Sequence, residues 1–156
     1  MIEIERKFLV KSTAFKAEAF KQTRIVQGFL NTDKARTVRV RLKGEQGFIT
    51  VKGPSSSDGL ERFEWEKEIT ALEAEALFKI CEEGVIDKTR YEVKAGKHTF
   101  EIDEFYGDND GLIVAEVELE TKEDQFIKPE WLGTEVTGEI KYYNSQLSKH
   151  PFKLWK

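Results

Sequence analysis

Charged residues recur at every second position in several separate stretches of this chain, and that alternation is the tightest constraint on its fold. Glu3, Glu5 and Lys7 alternate with Ile2, Ile4 and, one step past Arg6, Phe8. Arg39 and Arg41 alternate with Val38, Val40 and Leu42; Arg62, Glu64 and Glu66 with Phe63 and Trp65. Lys88 and Arg90 flank Thr89 before Tyr91, and Glu116, Glu118 and Glu120 alternate with Ala115, Val117 and Leu119. Successive side chains of an extended chain point to opposite faces, so each stretch reads as a strand with one apolar and one charged face.

Any one of these faces alone is most simply the solvated side of an antiparallel sheet. Together they resist that reading. Carboxylates cluster on some strands and cations on others, whereas a surface selected for solubility intersperses the signs. Like charges one strand-step apart also repel unless a counter-charge or ligand lies between them. Two unit charges about 4 Å apart interact by roughly 4 kcal/mol at an effective dielectric near 20. Closing the sheet removes the difficulty, because a barrel of about eight strands turns such faces inward around a cavity for a small ligand. The lining then offers cations suited to phosphate oxygens and carboxylates suited to a hard divalent metal such as Mg²⁺ or Mn²⁺.

The pattern predicts strands near 2–10, 24–31, 36–43, 47–52, 60–69, 85–94, 97–105 and 112–120, separated by turn chemistry such as Lys43-Gly44-Glu45-Gln46-Gly47 and Gly107-Asp108-Asn109-Asp110-Gly111. Gly53 to Gly59 reads as a flexible loop between strands. Helices are expected near 12–22, 71–83 and 137–148; the middle one starts with a Thr70/Glu73 capping box, runs through Leu72, Ala76, Leu77, Ile80 and Cys81, and stops at Gly84. The fold class is α+β, mainly β: an eight-stranded antiparallel closed barrel with a charged interior and helices packed outside. At 156 residues one domain, 1–156, is expected.

Composition narrows the partners. The net charge of −4 is the difference between 25 basic and 29 acidic residues, a balance that favours neither nucleic acid nor an anionic membrane. Cys81 is the only cysteine and reads as a core residue, which argues against a disulfide framework. The N-terminal Met1-Ile2-Glu3-Ile4-Glu5-Arg6-Lys7 has no apolar signal core and no segment is apolar enough to span a bilayer, so a cytoplasmic location is expected.

Glu3-Ile4-Glu5-Arg6-Lys7 resembles the Glu-x-Glu-x-Lys motif that opens the CYTH domain, also called the triphosphate tunnel metalloenzyme superfamily. The resemblance continues through Gln27-Gly28-Phe29-Leu30, Val38-Arg39-Val40-Arg41, Thr50-Val51-Lys52-Gly53, Arg62-Phe63-Glu64-Trp65-Glu66, Lys88-Thr89-Arg90, Phe100 to Phe105, Ala115 to Leu119 and Trp131 to Thr137, and ends on Tyr143-Asn144-Ser145-Gln146-Leu147. It implies a tunnel in which Lys7, Arg39, Arg41, Lys52, Lys88 and Arg90 grip a triphosphate. Glu3, Glu5, Glu64, Glu66, Glu116 and Glu118 match the side that holds metals, with Glu64 and Glu66 poised between ligand and supporting roles. Arg62 is a further substrate-binding candidate and Asp103 a supporting one. Glu116, Glu118, Lys88 and Arg90 are the expected catalytic set. Where many members carry Tyr in the Gln-Gly-Tyr-Leu segment this chain has Phe29, so that hydroxyl is absent. A homodimer is implied by resemblance alone.

The implied activity is Mg²⁺- or Mn²⁺-dependent hydrolysis of tripolyphosphate by an inorganic triphosphatase. An adenylate cyclase, nucleoside triphosphatase or thiamine triphosphatase of the same superfamily, acting on an organic triphosphate, is the alternative. A non-catalytic polyphosphate-binding module and a salt-bridged structural barrel are the others. Phosphoryl transfer asks for positioning and charge neutralisation, which the cations supply; for them the competing role is ion pairing with the glutamates. Paired carboxylates also serve as acid and base in glycosidases, but neighbouring cations are expected to lower their pKa values and leave the ionised forms that metals need. His98 and His150 read as surface or turn residues. Trp65, Trp131 and Trp155 read as packing residues, and Tyr143 and Asn144 as belonging to a helix near one tunnel mouth.

Overall fold

In the computed structural model, which describes residues 1–155, the alternating stretches become antiparallel strands. These are β1 (Ile2–Val10), β2 (Lys21–Asn31), β3 (Thr37–Lys43), β4 (Gln46–Ser55), β5 (Glu61–Ile69), β6 (Ile86–Ala95), β7 (His98–Phe105), β8 (Ile113–Glu118) and β9 (Leu132–Glu135). Eight of them close a ring in the order β1, β5, β4, β3, β2, β6, β7, β8 and back to β1. The expected eight-stranded closed barrel is therefore the observed one.

Closure rests on a short seam. Ile2, Glu3 and Ile4 of β1 pair with Phe63, Arg62 and Glu61 of β5, while Glu5 to Leu9 pair along the other edge with β8. Beyond the seam β9 takes over, pairing with Phe8 and Val10 across a bulge. Four residues are too few to show a period of two, so β9 has no counterpart in the sequence expectations.

Register then fixes which side chains share the interior, because partners across an antiparallel ladder lie on the same face. Glu3 faces Arg62, Lys52 faces Glu64 and Thr50 faces Glu66. Arg39 lies opposite Thr50, Arg41 opposite Gln27 and Arg90 opposite Asp103. Glu101 faces Glu116, and Lys7 and Glu5 face Glu116 and Glu118. The outer faces of β1, β6, β7 and β8 bury Phe8, Tyr91, Val93, Phe100 and Val117 with Trp131 and with Phe15 of α1 (Phe15–Glu18). A second cluster, Phe29, Ile86, Phe105 and Val114 with Tyr142 and Leu147, packs at one end of the barrel beneath α3 (Asn144–Lys149).

The helices depart from expectation at their ends. The helix expected over 12–22 shrinks to Phe15–Glu18 because Lys21 to Thr23 instead extend β2, pairing with Glu92 to Arg90 of β6. Inter-strand hydrogen bonds outweigh local propensity there. The helix expected over 137–148 is broken: Gly138 adopts φ +80, a 3-10 turn covers Ile140–Tyr142, and only Asn144–Lys149 is α-helical. The middle helix, α2 (Ala71–Phe78), forms its capping box as expected, lies over β3 and β4, and ends before Cys81. It buries only Ala74, leaving Leu72 and Ile80 exposed, and Cys81 is half-buried in the turn beyond. Gly53 to Ser55 belong to β4 rather than to the loop. Trp65 is partly exposed on the outer face, contrary to the packing expectation, whereas Trp131 is buried. His98 is also not a surface residue: it is 8% exposed and bonded to Asp124 at 3.0 Å. Among the described residues no helix is long and apolar enough to cross a membrane.

Candidate active site

The barrel encloses a cavity of about 220 Å³. Every site residue expected from sequence lines it: Glu3, Glu5, Lys7, Arg39, Arg41, Lys52, Arg62, Glu64, Glu66, Lys88, Arg90, Glu116 and Glu118. Alternation along eight strands converges on one space because the ring is closed.

One wall is cationic and its members are mutually paired. Asp103 stands behind it, 2% exposed, and accepts two hydrogen bonds from the Arg90 guanidinium at 2.8 and 2.9 Å. The Lys88 ammonium lies 2.8 Å from the same carboxylate. Burial alone would raise the Asp103 pKa, but Arg90 and Lys88 together hold it well below the usual carboxylate range. Burial pushes Lys88 down to about 8, against the pull of Asp103. On the facing strands, Arg41 and Arg39 approach Glu66 at 3.2 and 3.6 Å, and the Thr50 hydroxyl donates to Glu66 at 2.8 Å. Burial, with Arg39 and Arg90 nearby, lowers Arg41 to about 10. The Nε–H groups of both Arg39 and Arg41 are buried without an acceptor. Each arginine spends an Nη2 donor on Thr50 or Glu66 and keeps others along the cavity, which suits a ligand made of acceptor oxygens.

The opposite wall is acidic, and its carboxylates are paired with one another. Glu5 lies beside Glu116 and Glu3 beside Glu64, close enough for each carboxylate to shift its neighbour's ionisation. Burial, with Glu116 and Glu3 close by, raises Glu5 well above the usual range. Glu116 falls to about 2, since Lys7 and the bond from Glu5 outweigh burial. Glu64 rises to about 7 through burial and its bond to Glu3, and burial beside Glu3 and Glu101 raises Glu118. The expectation that neighbouring cations lower these pKa values thus fails for Glu5, Glu64 and Glu118. Lys7 is 3.9 Å from Glu116, and Lys52 is 3.1 Å from Glu3 and 3.7 Å from Glu64. Those two lysines are too few to neutralise the cluster.

Three placements refine the sequence picture. Glu66 serves the arginines rather than the acidic pairs. Arg62 spends its guanidinium on the Gly53 carbonyl at 2.6 Å and the Thr37 hydroxyl at 2.9 Å. Glu101, which sequence reasoning passed over, lines the cavity and lies 3.4 Å from Arg90; extending the alternation back from Asp103 would have found it, as extending it forward from Arg41 would have found Lys43. At the end beneath α3, Tyr143 places its ring 4.8 Å from the Lys7 ammonium and bonds to Ser55 at 3.1 Å, and Asn144 also lines the cavity. The opposite end gives onto a second cavity lined by Glu92, Lys94 and His98, which shares Glu101 and Glu118 with the first.

Among the described residues no cluster of three or more His, Cys, Asp or Glu side chains is arranged to hold a metal by itself. The donor set nonetheless fits a hard divalent cation. It consists of carboxylate oxygens only, and carboxylates crowded together are what a cation would neutralise. Mg²⁺ characteristically takes one or two carboxylates and completes its shell with water and substrate phosphate, so a closed protein cage is not required.

Comparison with known proteins agrees with this geometry. The CYTH domain family model matches residues 1–150. An inorganic triphosphatase from Acetivibrio thermocellus is 46% identical over 155 residues, 99% of this chain and 97% of the relative. One from Nitrosomonas europaea is 37% identical over 152 residues, 95% of this chain and 97% of the relative. The crystal structure of the inorganic triphosphatase NE1496 superposes with a TM-score of 0.66 at 33% identity, covering 94% of this chain and 93% of that one.

Proposed function

Because this chain belongs to the CYTH domain family, we propose that it is, as one CYTH domain over 1–156, a divalent-metal-dependent triphosphatase that hydrolyses tripolyphosphate. The observation that carries the reading is the facing, inside one cavity, of guanidinium and ammonium groups on one wall and clustered carboxylates on the other. A metal-complexed phosphate chain satisfies both at once. The full-length relatives that are inorganic triphosphatases support the choice of substrate.

In this reading Arg39, Arg41 and Arg90 meet phosphate oxygens through planar forks, and Lys7, Lys52 and Lys88 act as point charges. Glu3, Glu5, Glu116 and Glu118, with Glu64 beside them, hold the cation, Mg²⁺ or Mn²⁺, which supplies Lewis-acid stabilisation of phosphate oxygens when bound. Water attacks the terminal phosphorus, the P–O bond to the rest of the chain breaks, and orthophosphate and pyrophosphate leave. The protein lowers the barrier by placing fixed positive charge where negative charge accumulates. Glu66 and Asp103 keep the cations pointed inward; Arg62 braces the β4–β5 end. Phe29, which lines the cavity without a hydroxyl, contributes packing.

A cytoplasmic location and a homodimer belong to the same proposal, the first resting on the lone cysteine and tested by fractionation, the second by sedimentation. The deciding experiment measures phosphate release from tripolyphosphate, ATP and thiamine triphosphate side by side, with Mg²⁺, with Mn²⁺ and with chelator. Chelator-sensitive release chiefly from tripolyphosphate is expected. Release chiefly from an organic triphosphate would move the substrate within the superfamily, and tight binding without turnover would make the chain a polyphosphate-binding module.

A further inference from the structure

Lys88 is a fully buried ammonium on the floor of the cavity, 1% exposed, and its surroundings determine how it can act. Lysine has three donors and no acceptor. One is directed at Asp103 Oδ2, at 2.8 Å. A second goes to the side-chain oxygen of Asn144 at 3.0 Å. That oxygen accepts again, from the Gln27 amide at 2.9 Å.

Donor and acceptor identities in this chain are forced. Since Lys88 only donates, the Asn144 atom facing it is Oδ1; since Oδ1 only accepts, the Gln27 atom facing it is Nε2. Gln27 is 0% exposed and sits opposite Arg41 on β3, so it is a rigid anchor. Its own Oε1 is left buried without a partner, a cost of about 1–3 kcal/mol that a fold accepts when the amide is held for some other purpose. Asn144 is the first residue of α3 and comes from outside the ring of strands. Through it the C-terminal segment reaches the charged group of a cavity cation by a hydrogen bond.

Resting on the proposed triphosphatase reading, we propose that Asn144 is a positioning residue: anchored by Gln27, it and Asp103 take two of the Lys88 donors and leave the third directed at a phosphate oxygen of the bound chain. Without Asn144 the ammonium has a single anchor and turns about its Nζ–Asp103 contact.

The test compares Asn144→Ala, Asn144→Asp and Lys88→Ala on the whole chain, with tripolyphosphate and Mg²⁺, recording kcat, KM, the pH profile of kcat and the unfolding midpoint. Loss of a hydrogen bond to a charged group predicts a fall in kcat of about ten- to a hundredfold for Asn144→Ala, with KM moving much less. The groups around Lys88 are Asp103 on β7, Arg90 on its own strand and Glu116 on β8. Against that fixed background, Asn144→Ala removes an acceptor and moves the alkaline limb of the profile to lower pH. Asn144→Asp keeps both accepting contacts, adds a negative charge, and moves the same limb to higher pH while retaining more of kcat than Asn144→Ala. A residue that merely docks α3 would lower the unfolding midpoint in both variants and shift neither limb. If Asn144→Ala turns over like the parent while Lys88→Ala does not, the positioning role is wrong and the site reading stands. If Lys88→Ala itself leaves turnover intact, Lys88 is not part of the site and both fail. Should Asn144→Ala not fold, the direction of the Asn144→Asp limb decides alone.

Discussion

The two walls of the cavity are built from the same kinds of residue and balanced in opposite ways. Around Asp103, a buried carboxylate faces two buried cations at 2.8 Å, so its charge is more than answered within the protein. Across the cavity, Glu5, Glu116, Glu3 and Glu64 crowd one another, with only two lysines 3.1 to 3.9 Å away to answer them. In the first arrangement the carboxylate is fully answered when the chain has folded, while its cations keep donors for phosphate. The second is complete only when something positive arrives. Burial near charge therefore marks architecture in one place and a ligand site in the other, and the difference lies in whether the counter-charge is part of the sequence.

The sharpest way to break the comparison is to remove the central carboxylate of the complete wall. Asp103→Ala leaves Lys88 buried without a carboxylate partner and Arg90 with only Glu101, 3.4 Å away, and uncompensated buried charge of this kind costs about 3–5 kcal/mol. Denaturant unfolding followed by fluorescence should show that loss whether or not metal is present. A stable Asp103→Ala protein would mean that water reaches these cations freely.

The same operation on the other wall has the opposite signature. Glu5→Gln keeps the side-chain shape, relieves like-charge repulsion and removes a metal donor. Turnover of tripolyphosphate with Mg²⁺ should fall about 10²- to 10³-fold, the scale seen when one preorganised electrostatic contact is deleted, while the unfolding midpoint in chelator stays level or rises. A midpoint that drops as it does for Asp103→Ala would make the acidic wall architectural too.

Protons give a milder version of the contrast. Glu64 is lifted from 4.5 to about 7, and burial beside Glu116 and Glu3 lifts Glu5 well above its ordinary value too. A carboxylate whose folded pKa is raised stabilises the fold fully below its unfolded value, and that contribution is lost as pH rises through the folded value. In chelator, stability from these groups should therefore decline between about pH 4.5 and 7, and Mg²⁺ should restore it by replacing the protons. Asp103, with its lowered pKa, behaves inversely: its contribution is present above 3.8 and lost only as pH falls far below it. Calorimetric scans against pH, with and without Mg²⁺, read both. Stability that climbs over that window in chelator would show the acidic pairs to be ionised in the folded state.

How much of this was legible beforehand follows from periodicity. Alternation such as Arg39-Val40-Arg41 specifies a strand and both of its faces, so the barrel and its lining could be read directly. Alternation says nothing about what a carboxylate meets across the cavity. Glu66 and Glu64 are neighbours on one strand face, yet the first meets two arginines and the second a glutamate, and only ring closure decides that. Short or tertiary-dependent elements were also invisible: β9 is four residues long, and Lys21 to Thr23 are extended because β6 lies beside them. Asn144 could be placed on a helix, but its contact with Lys88 joins residues 56 apart in sequence through a segment outside the ring.

The smallest effect isolates burial as the cause of these differences. Arg24 and Asp87 form a two-pronged pair across β2 and β6, at 2.5 and 2.6 Å, with the same fork geometry as Arg90 and Asp103 across β6 and β7. The Arg24 and Asp87 side chains are 60% and 36% exposed, against 9% and 3% for Arg90 and Asp103. Water screens the outer pair and resolvates either member once its partner is gone, so the shorter bonds contribute less than the longer ones. Arg24→Ala should leave the unfolding midpoint where it is at ordinary salt and leave turnover untouched. If it destabilises the barrel on the scale of Asp103→Ala, bond geometry rather than dielectric surroundings sets the worth of these pairs, and the reading of the acidic wall as a site awaiting its counter-charge loses its physical basis.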